Sequence, residues 1–168
     1  MPDTISIDAS ALEDFGQQIG ATPEIIRVVS ARLVTTVGND TVEFARQQPG
    51  PATGLKQPFK TEKQRRFFFA AVRSGAIQVP YQRTGNLSRA WLVRLQDNGD
   101  TFVSEVYNRT PYRPYVQGFT GEQARIHRGR WSSQEQIQAA AEAATERRTA
   151  EAMSELERLF LSHLKGGG

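Results

Sequence analysis

The hydrophobic residues of this chain change their spacing twice, and this change limits the folds open to it. Apolar residues recur every three or four positions before residue 48 and after residue 133, which is the period of an amphipathic helix. Between them, residues 87–107 alternate with a period of two around Asp97-Asn98-Gly99-Asp100, a cluster typical of a turn between two strands. Long helices on both sides of a β-hairpin predict an α+β fold with a small antiparallel sheet.

The helical segments carry start signals. Ser10 to Glu13 matches a capping box and predicts a short helix, while Thr22 before Pro23 predicts the start of a long helix reaching about Gln48. The pair Gly38-Asn39 predicts an end or a kink inside that helix. Ser132 to Glu135 matches a second capping box, which opens a long C-terminal helix predicted to run to about Leu164.

The middle of the chain is predicted to be less regular. Prolines and glycines between 48 and 54 cannot continue a helix, so residues 49–60 are predicted to form a loop or extended arm. Thr61 then caps a short middle helix, Glu62 to about Ser74, whose phenylalanines Phe67–Phe69 are predicted to be core. Tyr115–Gly118 predicts either a third strand or the opening of a loop, and residues 119–131 an irregular loop. The expected organisation is one domain, 1–164, with a flexible tail at 165–168.

Composition argues against several classes of function. The absence of cysteine excludes disulfides and thiolate metal sites, and His127 and His163 have no metal-ligand spacing. The sequence shows neither a phosphate-binding glycine loop with its lysine nor a nucleophile elbow, so we expect no enzyme activity, metal or cofactor. An apolar run of the roughly 18 residues needed to span a bilayer is also missing, and the N-terminus does not resemble a signal peptide, which predicts a soluble protein without membrane contact.

Positive charge is concentrated in one segment. Residues 49–96 contain nine basic residues and one acidic residue, Glu62, a sum of +8, whereas the whole chain has a net charge of +3. Such a block attracts DNA or an acidic protein surface, or is simply solvated. The candidate residues for facing a partner or DNA are Lys56, Lys60, Lys63, Arg65, Arg66, Arg83, Arg89, Arg113, Arg125, Arg128 and Arg130. A nucleic-acid-binding module that also uses Arg73 and Arg94 is the alternative function.

Two short motifs flank the predicted hairpin. Before it, the chain reads Arg83-Thr84-Gly85-Asn86-Leu87, where Gly85 supplies backbone freedom for a turn and Leu87 begins a buried stretch that includes Trp91. After it, Val106, Asn108, Pro111, Tyr112, Tyr115 and Val116 stand in the segment VYNRTPYRPYV. These two motifs, in this order, resemble those of the tail-completion, or head–tail joining, proteins of the neck of long-tailed bacteriophages.

The resemblance covers residues 60–120, and the helices on either side agree in type and order. It implies a structural role for Thr84, Gly85, Leu87, Trp91, Asn108, Pro111, Tyr112 and Tyr115. The chain departs from the family pattern at Arg113, where a small residue is common, and at residues 123–131, which replace a common Arg-Pro-Phe segment.

A subunit of this kind is implied to form a ring, expected to be a hexamer, within the virion neck after synthesis in the host cytoplasm. Its implied partners are further copies of itself, the portal-side connector protein and the tail terminator or tail tube protein. DNA passing through such a ring is a further, non-specific contact. The function predicted is therefore structural: joining the DNA-filled head to the tail.

Overall fold

The computed structural model describes residues 4–47, 60–74, 76, 85–99, 101–125 and 127–166, without the side chain of Val72. Within these residues the chain has six helices and a three-stranded antiparallel sheet, which confirms the predicted α+β class. The elements in chain order are β1 (Ile5–Asp8), α1 (Ser10–Gln18), α2 (Pro23–Arg46), α3 (Glu62–Ser74), α4 (Asn86–Arg89), β2 (Trp91–Asp97), β3 (Phe102–Asn108), α5 (Arg113–Gln117) and α6 (Gln134–Gly166). The predicted arm lies outside the described residues except for Lys60.

The central strand of the sheet is β3, which pairs antiparallel with β1 on one side and β2 on the other. The β2–β3 pair is the predicted hairpin, and alternate residues of β3 are buried as a period of two requires. The third strand is the N-terminal β1, so the strand alternative for Tyr115–Gly118 is wrong. Pro114 favours a helix there because its fixed φ suits the first helical turn, where a missing N–H costs nothing.

The core lies between the sheet and the two long helices. Helix α2 packs against both the sheet and α6, and Val37, Val106 and Ile137 from these three layers have no exposed surface. The predicted helix end at Gly38 is wrong, because α2 is continuous through that position. A Cβ atom added at Gly38 would lie 2.4 Å from the Ser104 hydroxyl oxygen, so glycine lets the helix approach the sheet closely.

The first two helix starts have different outcomes. Thr22 caps α2 as predicted, since its hydroxyl oxygen accepts a hydrogen bond from a backbone N–H in the first turn. The capping box at Ser10 is wrong: the Asp8 carboxylate accepts from the Ser10 amide at 3.1 Å and hydroxyl at 2.7 Å. Glu13 accepts from the Thr101 hydroxyl instead, which ties α1 to the hairpin.

The last helix is capped one residue later than predicted. Ser133 and Gln136 exchange hydrogen bonds between side chain and backbone, as in a capping box. Glu135 accepts from the Thr120 amide, and hydrogen bonds from the Ser133 side chain first and that amide second lower the pKa of Glu135 to about 2. The tail prediction is wrong for Lys165 and Gly166, because α6 continues through both; residues 167–168 lie outside the described part.

Helix α3 has the predicted bounds but not the predicted packing. Thr61 caps it by accepting from the Gln64 amide at 3.1 Å. The prediction that its phenylalanines are core is wrong for Phe67, which is 74% exposed, and for Phe69, which is also exposed. Within the described chain, α3 makes no extensive contact with another helix or strand, so no core surface covers these rings.

Candidate interaction surfaces

The turn before β2 is built on Gly85. This residue has a φ of 72°, a left-handed conformation that favours glycine, and it directly precedes the short helix α4. Leu87 is buried as predicted, but it lies in α4 rather than in the strand, which begins at Trp91. Thr84 and Arg83 of the same motif lie outside the described residues.

Trp91 is tied to the end of α2 by a buried glutamine. The indole Nε1 of Trp91 donates to Oε1 of Gln117 at 2.9 Å, and Nε2 of Gln117 donates to the backbone oxygen of Ala45 at 2.9 Å. Arg46 donates to the backbone oxygen of Trp91 at 2.8 Å. The last carbonyls of a helix have no partner within it, so Gln117 serves both α2 and the hairpin. This glutamine was missed by sequence reasoning, because nothing in its local pattern marks it as buried.

Asn108 has a similar structural role at the end of β3. Its side-chain nitrogen donates to the backbone oxygen of Leu87 at 2.9 Å, and its side-chain oxygen accepts from the amide and hydroxyl of Thr110 at 2.9 and 2.7 Å. The two sequence motifs are therefore joined directly. Asn108 fixes the turn after β3 against α4, which agrees with its prediction as a structural residue.

The irregular segment 119–131 is held by a second small hydrophobic cluster. Leu87, Val116 and Trp131 form this cluster. Gln123 is buried beside it and donates to the backbone oxygen of Val116 at 2.8 Å. Arg128, predicted to face a partner, donates through Nε to the backbone oxygen of Gln123 at 2.9 Å, so it also stabilises the loop.

Helix α5 and the residues beside it expose aromatic rings above this cluster. Its buried residues are Arg113, Val116 and Gln117, whereas Tyr112 is 42% exposed, Tyr115 is 64% exposed and Phe119 is also exposed. We call Tyr112, Tyr115 and Phe119 the aromatic patch. The exposed Pro111, Tyr112 and Tyr115 lack the core role that Leu87 and Trp91 have within the same motifs. Large exposed rings on a fixed backbone are typical of protein interfaces.

The candidate cations differ in how far they are exposed to solvent. Arg113 is 3% exposed and its guanidinium lies 5.1 Å from the centre of the Trp91 ring, so its prediction as an exposed contact residue is wrong. Burial against an aromatic face suits the weakly hydrated guanidinium. Arg130 is half-buried near His127, whose pKa is lowered by burial and by Arg130. The described candidates that remain exposed are Lys60, Lys63, Arg65, Arg66, Arg89, Arg125 and Arg128. Lys56 lies outside the described residues.

Helix α3 brings exposed cations and rings onto one element. Arg65 and Arg66 both contact Glu62, at 3.0 and 3.5 Å, but all three side chains are more than half exposed, so these pairs add little stability. Phe67 and Phe69 extend from the same helix. We call this exposed set, Lys63, Arg65, Arg66, Phe67 and Phe69, the α3 surface.

A third exposed apolar set lies at the end of α6. With 33 residues this helix is about 50 Å long at roughly 1.5 Å per residue. Its buried stripe includes Ile137, Ala141 and Leu156, but Leu161 is exposed and Leu164 is 61% exposed. The last turns of α6 therefore leave apolar side chains in contact with solvent.

The described residues contain no group of three or more potential metal ligands. None of their helices has the length and apolar character needed to cross a membrane. Comparisons with protein-family models, with curated proteins and with solved structures found no match to this chain.

Proposed function

We propose that this chain is a structural subunit of the neck of a long-tailed bacteriophage, where it forms a ring that joins the DNA-filled head to the tail. The observation that carries the proposal is the exposure of large apolar side chains on three separate elements: the α3 surface, the aromatic patch and the end of α6. Exposed apolar patches mark protein–protein contacts. A ring subunit needs several such faces, because it contacts two neighbours and a partner above and below.

The rigid support of the aromatic patch favours the same role. Tyr115 and Phe119 flank the segment that contains Gln117 and Gly118. Gln117 is buried and the backbone of Gly118 is hydrogen-bonded to Pro114 and Gln134, so this segment is held in place. Side chains held in place before binding lose less conformational entropy on association. This arrangement suits stable docking between preformed surfaces, which a neck ring requires. The resemblance of residues 60–120 to neck proteins supports the proposal from the sequence.

A basic nucleic-acid-binding module remains the alternative function. The α3 surface favours it, since cations and aromatic rings on one exposed helix are suited to phosphates and bases. Two other observations weigh against it. Arg113 is buried, and Arg94 bonds to Glu105, whose hydrogen bond and charge raise the pKa of Arg94. Arg113 is therefore absent from the surface, and Arg94 is exposed but its charge is balanced by Glu105.

The test is native mass spectrometry of the purified chain, followed by sedimentation with DNA-filled capsids that lack tails. We expect ring-sized oligomers, or stoichiometric binding to the capsid vertex. Replacing Tyr115 and Phe119 with serine should reduce either association at least about tenfold, the effect of losing roughly 1.4 kcal/mol. Val28→Ser, which changes an exposed valine on α2 outside the three surfaces, is the matched control.

Three results separate the two functions. Unchanged association of the Tyr115→Ser/Phe119→Ser chain would remove the aromatic patch from the interface. A monomer that ignores capsids would refute the neck proposal. If that monomer also retarded DNA, with affinity falling steeply as salt rises, the nucleic-acid module would replace it.

A further inference from the structure

A groove of about 630 Å³ lies between the strand β1 and the N-terminal half of α6. One wall is formed by residues 4–8, so the groove follows β1 along its whole length. The other wall is one stripe of the helix, at three- and four-residue steps: Gln138, Ala141, Glu142, Thr145 and Glu146. The volume is within the range of about 300–1,000 Å³ typical of ligand sites.

The groove lies at an edge of the sheet. β1 pairs with β3 on one side, and no strand of the described chain pairs with its other side. Outside the sheet, the described residues also give the backbone of Ile5, Ser6 and Ile7 no hydrogen bond. About half of the N–H and C=O groups of an edge strand point away from its partner. β1 therefore offers these groups to a further strand.

The two long helices are wide enough to support that further strand. α2 packs against all three strands, whereas α6 lies beside α2 and contacts the sheet at β1. Two helices side by side are about 20 Å wide, which matches about four strands spaced roughly 4.8 Å apart. The described sheet has three strands, so it ends before it covers α6. The groove lies where a fourth strand would pack on this helix.

Three carboxylates give the groove a negative charge. Asp8, Glu142 and Glu146 are its ionisable lining residues, a sum of −3, and all three are exposed. No ion pair joins any of them to a described cation, and the two arginines that follow Glu146 bond to Asp40 on α2 instead. Glu142 and Glu146 stand one helical turn apart, where like charges repel. A cationic ligand would relieve this repulsion.

The shape of the groove favours a strand over a helix. A helix is about 10 Å across, roughly twice the spacing of neighbouring strands. Ala141 is buried and Thr145 is half-buried, whereas Glu142 and Glu146 are exposed. Successive side chains of a strand point to opposite faces. A strand beside β1 would therefore place every second side chain on the small residues of α6 and leave the others near the carboxylates.

We infer that this groove binds an extended basic segment of a partner protein, which pairs with β1 as a fourth strand of the sheet. Backbone hydrogen bonds to the outer edge of β1 supply affinity, as in other cases of strand addition. Small apolar side chains of the segment contact Ala141 and Thr145, and the basic side chains between them select for the negative groove. The inference goes beyond the neck assignment and does not depend on it, since the ligand is defined by its chemistry.

The test is binding of a blocked, fluorescein-labelled hexapeptide, Lys-Val-Lys-Val-Lys-Val, to the full chain at low salt. A twin with glutamine in place of every lysine should bind at least about tenfold more weakly, because it lacks the charge. Two further twins carry backbone N-methyl groups, one on all the valines and the other on all the lysines. Each lacks the amide donors of one edge of the peptide, so only one of these two twins should lose binding.

Two matched double variants test the protein side. Glu142→Gln/Glu146→Gln removes two of the three charges of the groove and should weaken binding of the lysine peptide about tenfold. Glu122→Gln/Glu157→Gln removes two exposed carboxylates outside the groove and should leave the affinity unchanged. Bound peptide should also slow hydrogen exchange of amides within residues 5–8, which a purely electrostatic attraction would not do.

The inference is wrong if the glutamine peptide binds as well as the lysine peptide, or if the two N-methylated twins bind equally. Equal losses in the two double variants would also overturn it, because the overall charge of the chain would then explain binding. If Glu142→Gln/Glu146→Gln abolished oligomers and left peptide affinity unchanged, the groove would instead belong to a second copy of the chain. The neck proposal is tested separately, by ring formation and capsid binding of the unsubstituted chain.

Discussion

Replacing Gln117 with methionine should destabilise the fold more than any other change that conserves side-chain volume in the hydrogen-bonded region around α5. Gln117, Trp91 and Ala45 have no exposed surface, and Gln117 bonds to both of the others at 2.9 Å. Methionine fills a similar space but leaves the Trp91 Nε1–H and the Ala45 carbonyl without this partner. Each orphaned buried group costs about 1–3 kcal/mol, so we expect a loss of about 2–4 kcal/mol in the free energy of unfolding. That is a large share of the roughly 5–15 kcal/mol of a typical domain.

Urea unfolding monitored by tryptophan fluorescence measures this loss. With a slope of about 2 kcal/mol per molar urea, the midpoint should fall by about 1–2 M. Gln18→Met, at an exposed position in α1, is the control for the same chemical change. In a Trp91→Phe background, which lacks the indole donor, the cost of Gln117→Met should fall by about 1 kcal/mol. A loss below about 0.5 kcal/mol, or an equal loss in both backgrounds, would refute the proposed connection between α2 and the hairpin.

Three further predictions concern the rest of the fold. Gly38→Ala should lower the free energy of unfolding by about 1–3 kcal/mol, measured by thermal unfolding, because the added Cβ would meet the Ser104 hydroxyl. Adding Ser104→Ala, which removes that oxygen, should recover part of the loss. If the effects of the two substitutions are simply additive, the contact is disproved. Glu135 has a folded pKa of about 2, below its ordinary value of 4.5, so its stabilisation is present above about pH 4.5 and is lost as the pH falls toward 2. The stability difference between the native chain and Glu135→Gln should therefore vanish near pH 2, and a constant difference would contradict this. Asp40 bonds to Arg148 at 2.9 Å across α2 and α6. Asp40→Asn should therefore lower the free energy of unfolding by about 1 kcal/mol and make that free energy less sensitive to salt concentration.

Local signals predicted the elements whose cause is local. The Thr22-Pro23 start of α2, the bounds of α3 and the hairpin around Asn98-Gly99 follow from capping, proline geometry and alternation, each of which acts within a few residues. The errors in the predicted helix caps also extend over only one or two residues. Asp8 replaced Ser10 in binding the first turn of α1, and Ser133 replaced Ser132, because neighbouring polar side chains compete for the same backbone groups.

Burial was not predictable in the same way. Phenylalanine is usually a core residue, but Phe67 is exposed. Arginine is usually a surface residue, but Arg113 is buried against Trp91. The hydrophobicity of a side chain determines how much free energy its burial contributes. The tertiary structure determines whether another element packs on that side chain. The sequence motifs contained Gly85, Leu87 and Asn108, but sequence reasoning did not identify Gln117, which joins Trp91 to α2.

The sequence by itself determined the α+β class, the hairpin and the absence of cysteine chemistry, because these depend on residue type and on spacing over short stretches. Only the tertiary structure decided which strand completes the sheet, that Gln117 bridges α2 and Trp91, and that Asp8, Glu142 and Glu146 line one groove. Those features join residues that lie far apart along the chain. Their free energy comes from contacts that exist only once the long helices have packed on the sheet, and no local pattern encodes them.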